Sequence, residues 1–432
     1  MNYPKVLVVS NNSFSLTNSN GRTLGNYFID WPKECLAQFC ISTDGPNYNI
    51  CNNYYCITDK EVLSAFINCK KARGTVLQSK DFSKNKYELT HQKKLRKNSC
   101  RVLLRHLIWK FNRWRSPEFI KWIDKFNPNL ILLQSGDSAF MLHIATQLSK
   151  ERKVPLIIFN SEGFYFFKKT YMHKCKIDWF CFPIYHKIYR NQFRKTMLQA
   201  SYSIYLNTLL KEDYDKEFKD KKSIVLYSSS TLSFCRKPFN ANNPKFSYLG
   251  NFGYDRPRAL VEIAETLQSI NKNYYLDVYG NAFSSNIVDL FNSCEGIHFH
   301  GALNYEYVIR VIKKSDILFH AESQNKIWKE SLKYGFSTKI ADSLASGKSF
   351  FLYSSPDIAC AKYIIQTGAG WFAKNKNDLK SELTLLISDE EKRKKVLEKA
   401  REVSFQNHNL TKNRNKFRDI LFLVHSGMSI MN

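Results

Sequence analysis

The sequence predicts an α/β protein of two doubly wound domains, and three observations carry that prediction. Short, almost continuous apolar runs recur in both halves, each closing on a small or polar residue. Amphipathic helical stretches separate them, and a Pro- and Asn-rich segment near mid-chain interrupts the alternation. Strands buried on both faces read as unbroken hydrophobic runs, and strands alternating with helices argue for parallel sheets covered by helices.

Taken in order, "KVLVVS" opens the first domain as a buried strand, since "VLVV" is too short for the apolar centre of a secretion signal. The polar loop "NNSFSLTNSN" follows, then Gly21, Arg22 and Thr23 at a helix start. Gly21 permits close backbone approach and a helix N-terminus favours an anion, although ordinary strand-to-helix loops use the same residues. "NLILLQS", "PLIIFNS" and "YSIYLN" continue the first sheet. Their ends carry Ser135, Gly136 and Asp137, then Asn160, Glu162 and Gly163, at the edge where parallel sheets bind ligands. Asp137 and Glu162 are the candidates for orienting an acceptor or serving as general base; loop caps are the plainer role for each.

"CRKPFNANNPKF" marks the domain boundary, giving domains over 1–235 and 236–405 and a helical tail over 406–432. The second sheet reads as "FSYLGN", "YYLDVYGN", "IHFHG", "DILFHA" and "SFFLYS", with helices over "RALVEIAETLQSI" and "YEYVIRVIKKS". "DEEKRKKVLEKAREVS" is a charged helix with a solvated face.

Composition narrows the class. A chain of 432 residues, 44% hydrophobic and 15% aromatic, is long enough for two cores and excludes a disordered or collagen-like chain. No uncharged apolar run reaches 18 residues, so no spanning helix is expected. Eleven cysteines without a Cys-x-x-Cys pair, and Cys35, Cys40, Cys51 and Cys56 without a nearby His pair, predict no zinc site and a reduced, cytoplasmic chain. The net charge of +27 is concentrated: Lys80–Lys125 holds fourteen Lys/Arg against four acids, and Lys168–Lys195 eight against one. Both windows are aromatic as well as basic, which suits an anionic membrane surface or, equally, a solvated basic helix. No nucleic-acid-binding motif accompanies the charge, and nucleic acid is not an expected partner. Asp213-Tyr214-Asp215 has the form of a metal-binding Asp-x-Asp but sits in a charged helical stretch, and His143 falls inside a helix as packing.

Neither half shows Gly-x-Gly-x-x-Gly after its first strand, against a dinucleotide oxidoreductase. The chemistry points instead to "YGFSTKIADSLASG", residues 334–347. Ser337, Thr338 and Lys339 stand at a helix start, where outward N–H groups, two hydroxyls and one cation would hold a diphosphate. Asp342, one turn on, would accept from vicinal sugar hydroxyls. The alternative is a plain Ser/Thr N-cap and a surface acid.

This stretch resembles the retaining nucleotide-sugar glycosyltransferases of family 4. Asp342, five residues before Gly347, stands in the place of the second Glu of their Glu-x7-Glu motif, and Tyr334 in that of the first. Either Glu330 or Glu322 replaces the missing Glu, or the sugar is held differently. "GFSTK" fills the Gly-Phe-Gly-Leu-Pro position, so Gly335 and Phe336 join Ser337, Thr338 and Lys339. "YLGNFGYDRPRALVEIAETL" is similar to the family's strand-Gly-Arg segment, with Gly250 matching the glycine, Asn251 in the usual Arg place and Arg256 in that of the phosphate-binding Lys. "LDVYGN" supplies Gly280, and Gly301 to Leu303 would lie near the nucleotide base. The resemblance covers about residues 245–400 and is architectural before that. It implies the GT-B fold, two facing Rossmann-like domains with a C-terminal helix returning to the first. It further implies hexosyl transfer with retention from a UDP- or GDP-sugar, needing no metal or other cofactor, with Lys339 and Arg256 stabilising the leaving diphosphate. The expected enzyme is a cytoplasmic, peripheral membrane glycosyltransferase that extends a lipid-diphosphate-linked capsule or lipopolysaccharide glycan. A catalytically silent nucleotide-sugar or membrane-binding protein, and a soluble transferase acting on protein or a metabolite, are the alternatives.

Overall fold

The computed structural model describes residues 2–15, 19–42, 45–77, 98–168 and 176–427. The chain forms two compact units, one made of residues 1–206, 210–226 and 411–432, the other of 207–209 and 227–410.

The first unit holds β1 (Val6–Asn12), β2 (Leu36–Ser42), β3 (Asn53–Cys56), β4 (Thr75–Leu77), β5 (Leu130–Ser135), β6 (Leu156–Asn160), β7 (Tyr202–Tyr205) and β8 (Ser223–Val225). Their order is β4-β3-β2-β1-β5-β6-β7-β8, parallel except for the antiparallel β3–β4 pair. The second unit holds β9 (Phe246–Leu249), β10 (Leu276–Tyr279), β11 (Ile297–Gly301), β12 (Ile317–Ala321), β13 (Ser349–Tyr353) and β14 (Trp371–Ala373). These run in the order β11-β10-β9-β12-β13-β14, all parallel. Both sheets are doubly wound and Rossmann-like, as the apolar runs predict. The strand order reverses at β1 in one sheet and at β9 in the other, which opens a crevice at the carboxyl ends of the strands.

The last helix, Leu410–Ser426, returns to the first unit. Phe417, Ile420 and Leu421 join the core formed by Val6, Leu130, Ile157 and Phe159, and Phe417 stacks on Tyr27 with ring centroids 5.1 Å apart. Each such fully buried side chain contributes about 1.5–3 kcal/mol. Arg414 pairs with Asp30 at the rim of this contact.

Three expectations need correction. The units divide after Leu226, not at 235/236, because Tyr227 packs on Phe336 and Tyr363 and the Cys235 amide donates to the Ser346 carbonyl at 3.3 Å. Likewise the second unit runs to Leu410, because the helix Glu390–Asn407 crosses 405/406 and His408 is buried within this unit. The cysteines are not all reduced: Cys100 and Cys181 form a disulfide with Cα atoms 5.3 Å apart. It joins the helices Ser99–Lys110 and Lys176–Gln199, which pack side by side, a contact across 81 residues of sequence. Parts of both basic windows, 80–97 and 169–175, lie outside the described residues. Among the described residues no helix is long and apolar enough to cross a membrane.

Candidate active site

The reversal between β9 and β12 gathers a buried charge cluster in the second unit. Arg256 opens the helix Arg256–Ile270 and is buried despite its charge. Its Nε and Nη2 each donate to one oxygen of Glu322 at 2.8 Å, and Glu322 follows β12 directly. The third arm, Nη1, donates to Asn251 Oδ1 and, at 3.4 Å, to the Gly253 carbonyl. His320 Nε2 lies 3.0 Å from the same carboxylate. Burial pushes the Glu322 pKa up, but the Arg256 charge and the hydrogen bonds from His320 and Arg256 prevail and hold it down at about 2. Burial lowers the His320 pKa, and Lys339 is close enough to act in the same sense. The result is a bidentate buried ion pair beside a neutral imidazole.

Backbone geometry fixes the loop that carries Arg256. Tyr254 and Asp255 both take left-handed φ, +57° and +60°, a conformation that costs non-glycine residues energy and that the surrounding contacts maintain. The Arg256 guanidinium lies 5.4 Å from the Tyr254 ring centre, and that ring meets Trp328 edge-on at 5.5 Å. Gly250 and Gly280 are needed for packing. A Cβ on Gly250 would fall 2.2 Å from the Tyr248 hydroxyl, and one on Gly280 2.2 Å from the Gly250 carbonyl oxygen. Their amides lace neighbouring loops together, Gly250 to Tyr279 at 2.9 Å and Gly280 to Gly301 at 2.8 Å. Gly301, with φ +75° and open space about it, is a glycine for conformation, and half-buried Leu303 follows it.

The helix Thr338–Ala345 begins where the motif placed it. Ser337 is the N-cap, accepting from the Lys339 amide at 3.3 Å, while its carbonyl accepts from Ile340 at 3.1 Å. Thr338 and Lys339 are half-buried at this start. Tyr334 is buried; its hydroxyl accepts from Lys333 Nζ at 2.8 Å and its carbonyl from Asn207 Nδ2 at 3.0 Å. Gly335 donates to the Leu332 carbonyl. Phe336 packs away from the helix start, its ring 5.3 Å from Tyr227, 5.2 Å from Tyr363 and stacked 6.4 Å from His408. Asp342 Oδ1 accepts from Ser230 Oγ at 2.7 Å, so this acid ties the helix to the segment entering the unit.

Arg256, Asn251, Gly250, Gly280 and Gly301 therefore meet along one sheet edge, with Glu322 and His320 as members that the motif reading had not joined to them. Glu322 is engaged by both Arg256 and His320. His320 was hidden in a continuous apolar run, and the Ser230 contact spans 112 residues.

In the first unit, Gly21 lies inside the helix Ser19–Tyr27, and a Cβ there would fall 2.4 Å from the Ser13 carbonyl oxygen. Its glycine is required by close packing of the loop after β1. Asp137 accepts from Ser138 Oγ at 3.3 Å, and its carbonyl accepts from the Tyr185 hydroxyl. Tyr189 donates to the Gly136 carbonyl at 2.8 Å. Burial raises the Tyr189 pKa far above its usual value, and the charges of Asp137 and Glu162 add to that rise. Asp213 and Asp215 lie on the helix Thr208–Glu217, Asp215 bonded to Lys211 and to Ser223. His143 lies within the helix Ala139–Arg152. Among the described residues no group of three or more His, Cys, Asp or Glu could hold a metal ion.

Residues 231–403 match the protein family described as "Glycosyl transferases group 1". Those residues form a group 1 glycosyltransferase domain. The chain is accordingly a transferase by class. No curated protein sequence matches it. Among solved structures it is similar to sucrose-phosphate synthase (tll1590) from Thermosynechococcus elongatus, TM-score 0.64 at 11% identity, covering 99% of this chain and 100% of that one. It is also similar to Anabaena Alr3699/HepE in complex with UDP and glucose, TM-score 0.62 at 10% identity, covering 97% and 100%. The glycosyltransferase WaaG, involved in lipopolysaccharide biosynthesis, gives a TM-score of 0.56 at 12% identity over 96% and 99%. At these identities the likeness establishes the fold, the two Rossmann-like units of the GT-B class.

Proposed function

We propose that the protein transfers a hexosyl group, with retention, from a UDP- or GDP-sugar to a lipid-diphosphate-linked glycan of the cell surface. The observation that carries the reading is the helix start at Ser337–Lys339 beside the Arg256–Glu322 pair, inside the group 1 domain. The leaving diphosphate gains negative charge as the glycosidic bond breaks, and preorganised donors stabilise it without reorganisation. Lys339 and the amides near Ser337 and Thr338 take that charge directly. Arg256, locked to Glu322, holds a fixed positive pole and the loop that bears Asn251. Gly250, Gly280, Gly301 and Leu303 shape the walls for base and ribose. Tyr334 and Phe336 fix the loop through Lys333, Tyr363 and His408, and Gly335 gives it room. Asp342, held by Ser230, completes the ribose side. Asp137 and Glu162 orient the acceptor hydroxyl, one of them helping to remove its proton. The reading needs no cofactor beyond the donor, and UDP or UDP-glucose bound to the structural neighbour HepE supports a nucleotide-sugar donor. The enzyme works at the cytoplasmic face of the membrane, attached peripherally to its anionic surface.

The test is a panel of UDP- and GDP-sugars, with release of nucleotide and transfer to a lipid-linked acceptor both measured. Lys339→Ala should weaken nucleoside diphosphate binding at least tenfold by calorimetry while the melting temperature holds. Unchanged affinity removes Lys339 from the site, and no turnover of any donor rejects the reading.

A further inference from the structure

We propose that the outer side of the disulfide-linked helix pair is a membrane-insertion face, which seats apolar side chains in an anionic bilayer and does more than attract it by charge. This deepens the membrane attachment of the proposed function and rests on it. In the helix Lys176–Gln199, Ile177, Phe180 and Ile184 recur at spacings of three and four and so share one side. Phe180 is 73% exposed and Ile177 60%. In the helix Ser99–Lys110 and its C-cap, Leu104, Leu107 and Phe111 follow the same rule, Leu104 being 58% exposed. The two helices run alongside each other in the same direction: Ser99 donates to Asp178, Cys100 joins Cys181, and His106 meets Tyr185. Both also rest on the helix Ala139–Arg152, so their remaining sides face outward together. Trp179, in the same first turns, is 69% exposed. A monomeric protein seldom leaves so many large apolar side chains together in water.

Charge identifies the occupant. The two helices carry eight Lys/Arg against a single acid, Asp178, and that acid is buried where it accepts the Ser99 amide. Arg105, Arg190 and Arg194 are answered by Asp59 and Glu217, and Lys110, Lys187 and Lys195 are exposed. Exposed aromatic and aliphatic groups flanked by cations match the acyl boundary and the headgroups of an anionic bilayer. A second copy would bring the same positive side against itself across a two-fold axis, which charge disfavours.

Trp179 is a native reporter, since five of the other six tryptophans are buried and Trp328 is half-buried. The full-length protein is mixed with phosphatidylcholine vesicles containing 30% phosphatidylglycerol, some with brominated acyl chains. Brominated lipid should quench the fluorescence, and Trp179→Phe should abolish most of that quenching. Leu104→Ser with Phe180→Ser should lower vesicle partitioning at least tenfold at low salt, with nucleotide affinity and melting temperature unchanged. Lys187→Glu with Lys195→Glu should give a smaller loss that salt mimics. Binding that salt abolishes, without quenching and without loss in the Ser variant, overturns the insertion face while leaving peripheral attachment standing. No vesicle binding overturns both, and a dimer that the Ser variant dissolves assigns the face to a second copy.

Discussion

At the residue scale, the protonation of two buried groups sets how the second unit responds to acid. His408 Nδ1 lies 2.7 Å from the Ser228 carbonyl, which can only accept, so Nδ1 carries the proton and neutral Nε2 accepts from the Tyr363 hydroxyl at 2.9 Å. Burial lowers its pKa from 6.5 to about 4. The unfolded chain therefore binds the extra proton first, and stability falls as pH drops from about 6.5 toward 4. Glu322, held at about 2 in the fold against 4.5 for a free carboxyl, adds a second loss between those values, on the order of 3 kcal/mol when complete. Melting temperatures recorded from pH 7 to 3 should decline through both windows, and His408→Gln should flatten the first alone. Glu322→Gln should cost several kcal/mol, since it leaves the Arg256 charge buried without its counter-charge. Chemical denaturation at neutral pH measures that loss. Of these residues, Lys339 was legible as part of a helix start from the hydroxyls before it, and Arg256 was singled out through the family resemblance. Glu322 and His408 were not, because their roles come from partners 66 and 180 residues away.

At the scale of elements, the helix start at Ser337 depends on a single cap. Ser337→Ala should cost about 1 kcal/mol, visible by thermal melting, and reduce nucleotide binding with it, whereas Ser337→Asp should restore the melt and repel the nucleotide. At the other end of this helix, Gly347 takes φ +78°, and a Cβ there would fall 2.6 Å from the Cys235 carbonyl oxygen. Gly347→Ala should destabilise the second unit by about 1–3 kcal/mol, measured by urea titration. Most strands were legible because burial on both faces demands unbroken apolar runs, as in β1, β5, β12 and β13. β2 was not, because Gln38 interrupts it. In the fold that amide is buried and satisfied, accepting from Phe14 N–H at 2.8 Å and donating to Ser10 Oγ at 2.8 Å. A polar side chain paid for by tertiary hydrogen bonds leaves no trace in local pattern. The disulfide between the two basic helices was equally invisible, as cysteine spacing along the chain says nothing of which helices lie side by side.

At the scale of the whole molecule, the double winding of each sheet followed from strand–helix alternation, but the exact ownership of segments did not. The Pro- and Asn-rich stretch at 235–246 is a compositional break, while packing assigns 227–234 to the second unit through Tyr227 and Cys235. Removing residues 410–432 should expose Tyr27 and Phe28 and destabilise the first unit, while the isolated core of the second keeps its cooperativity; hydrogen exchange resolved by segment reads the two apart. The return of the last helix bears on biogenesis. Polymerisation of the second unit is complete at Leu410, whereas Phe417, which the N-terminal sheet needs to close its core, is added after it. The half of the chain made first is thus the half that matures last, and until then its open hydrophobic surface is the natural client of a chaperone.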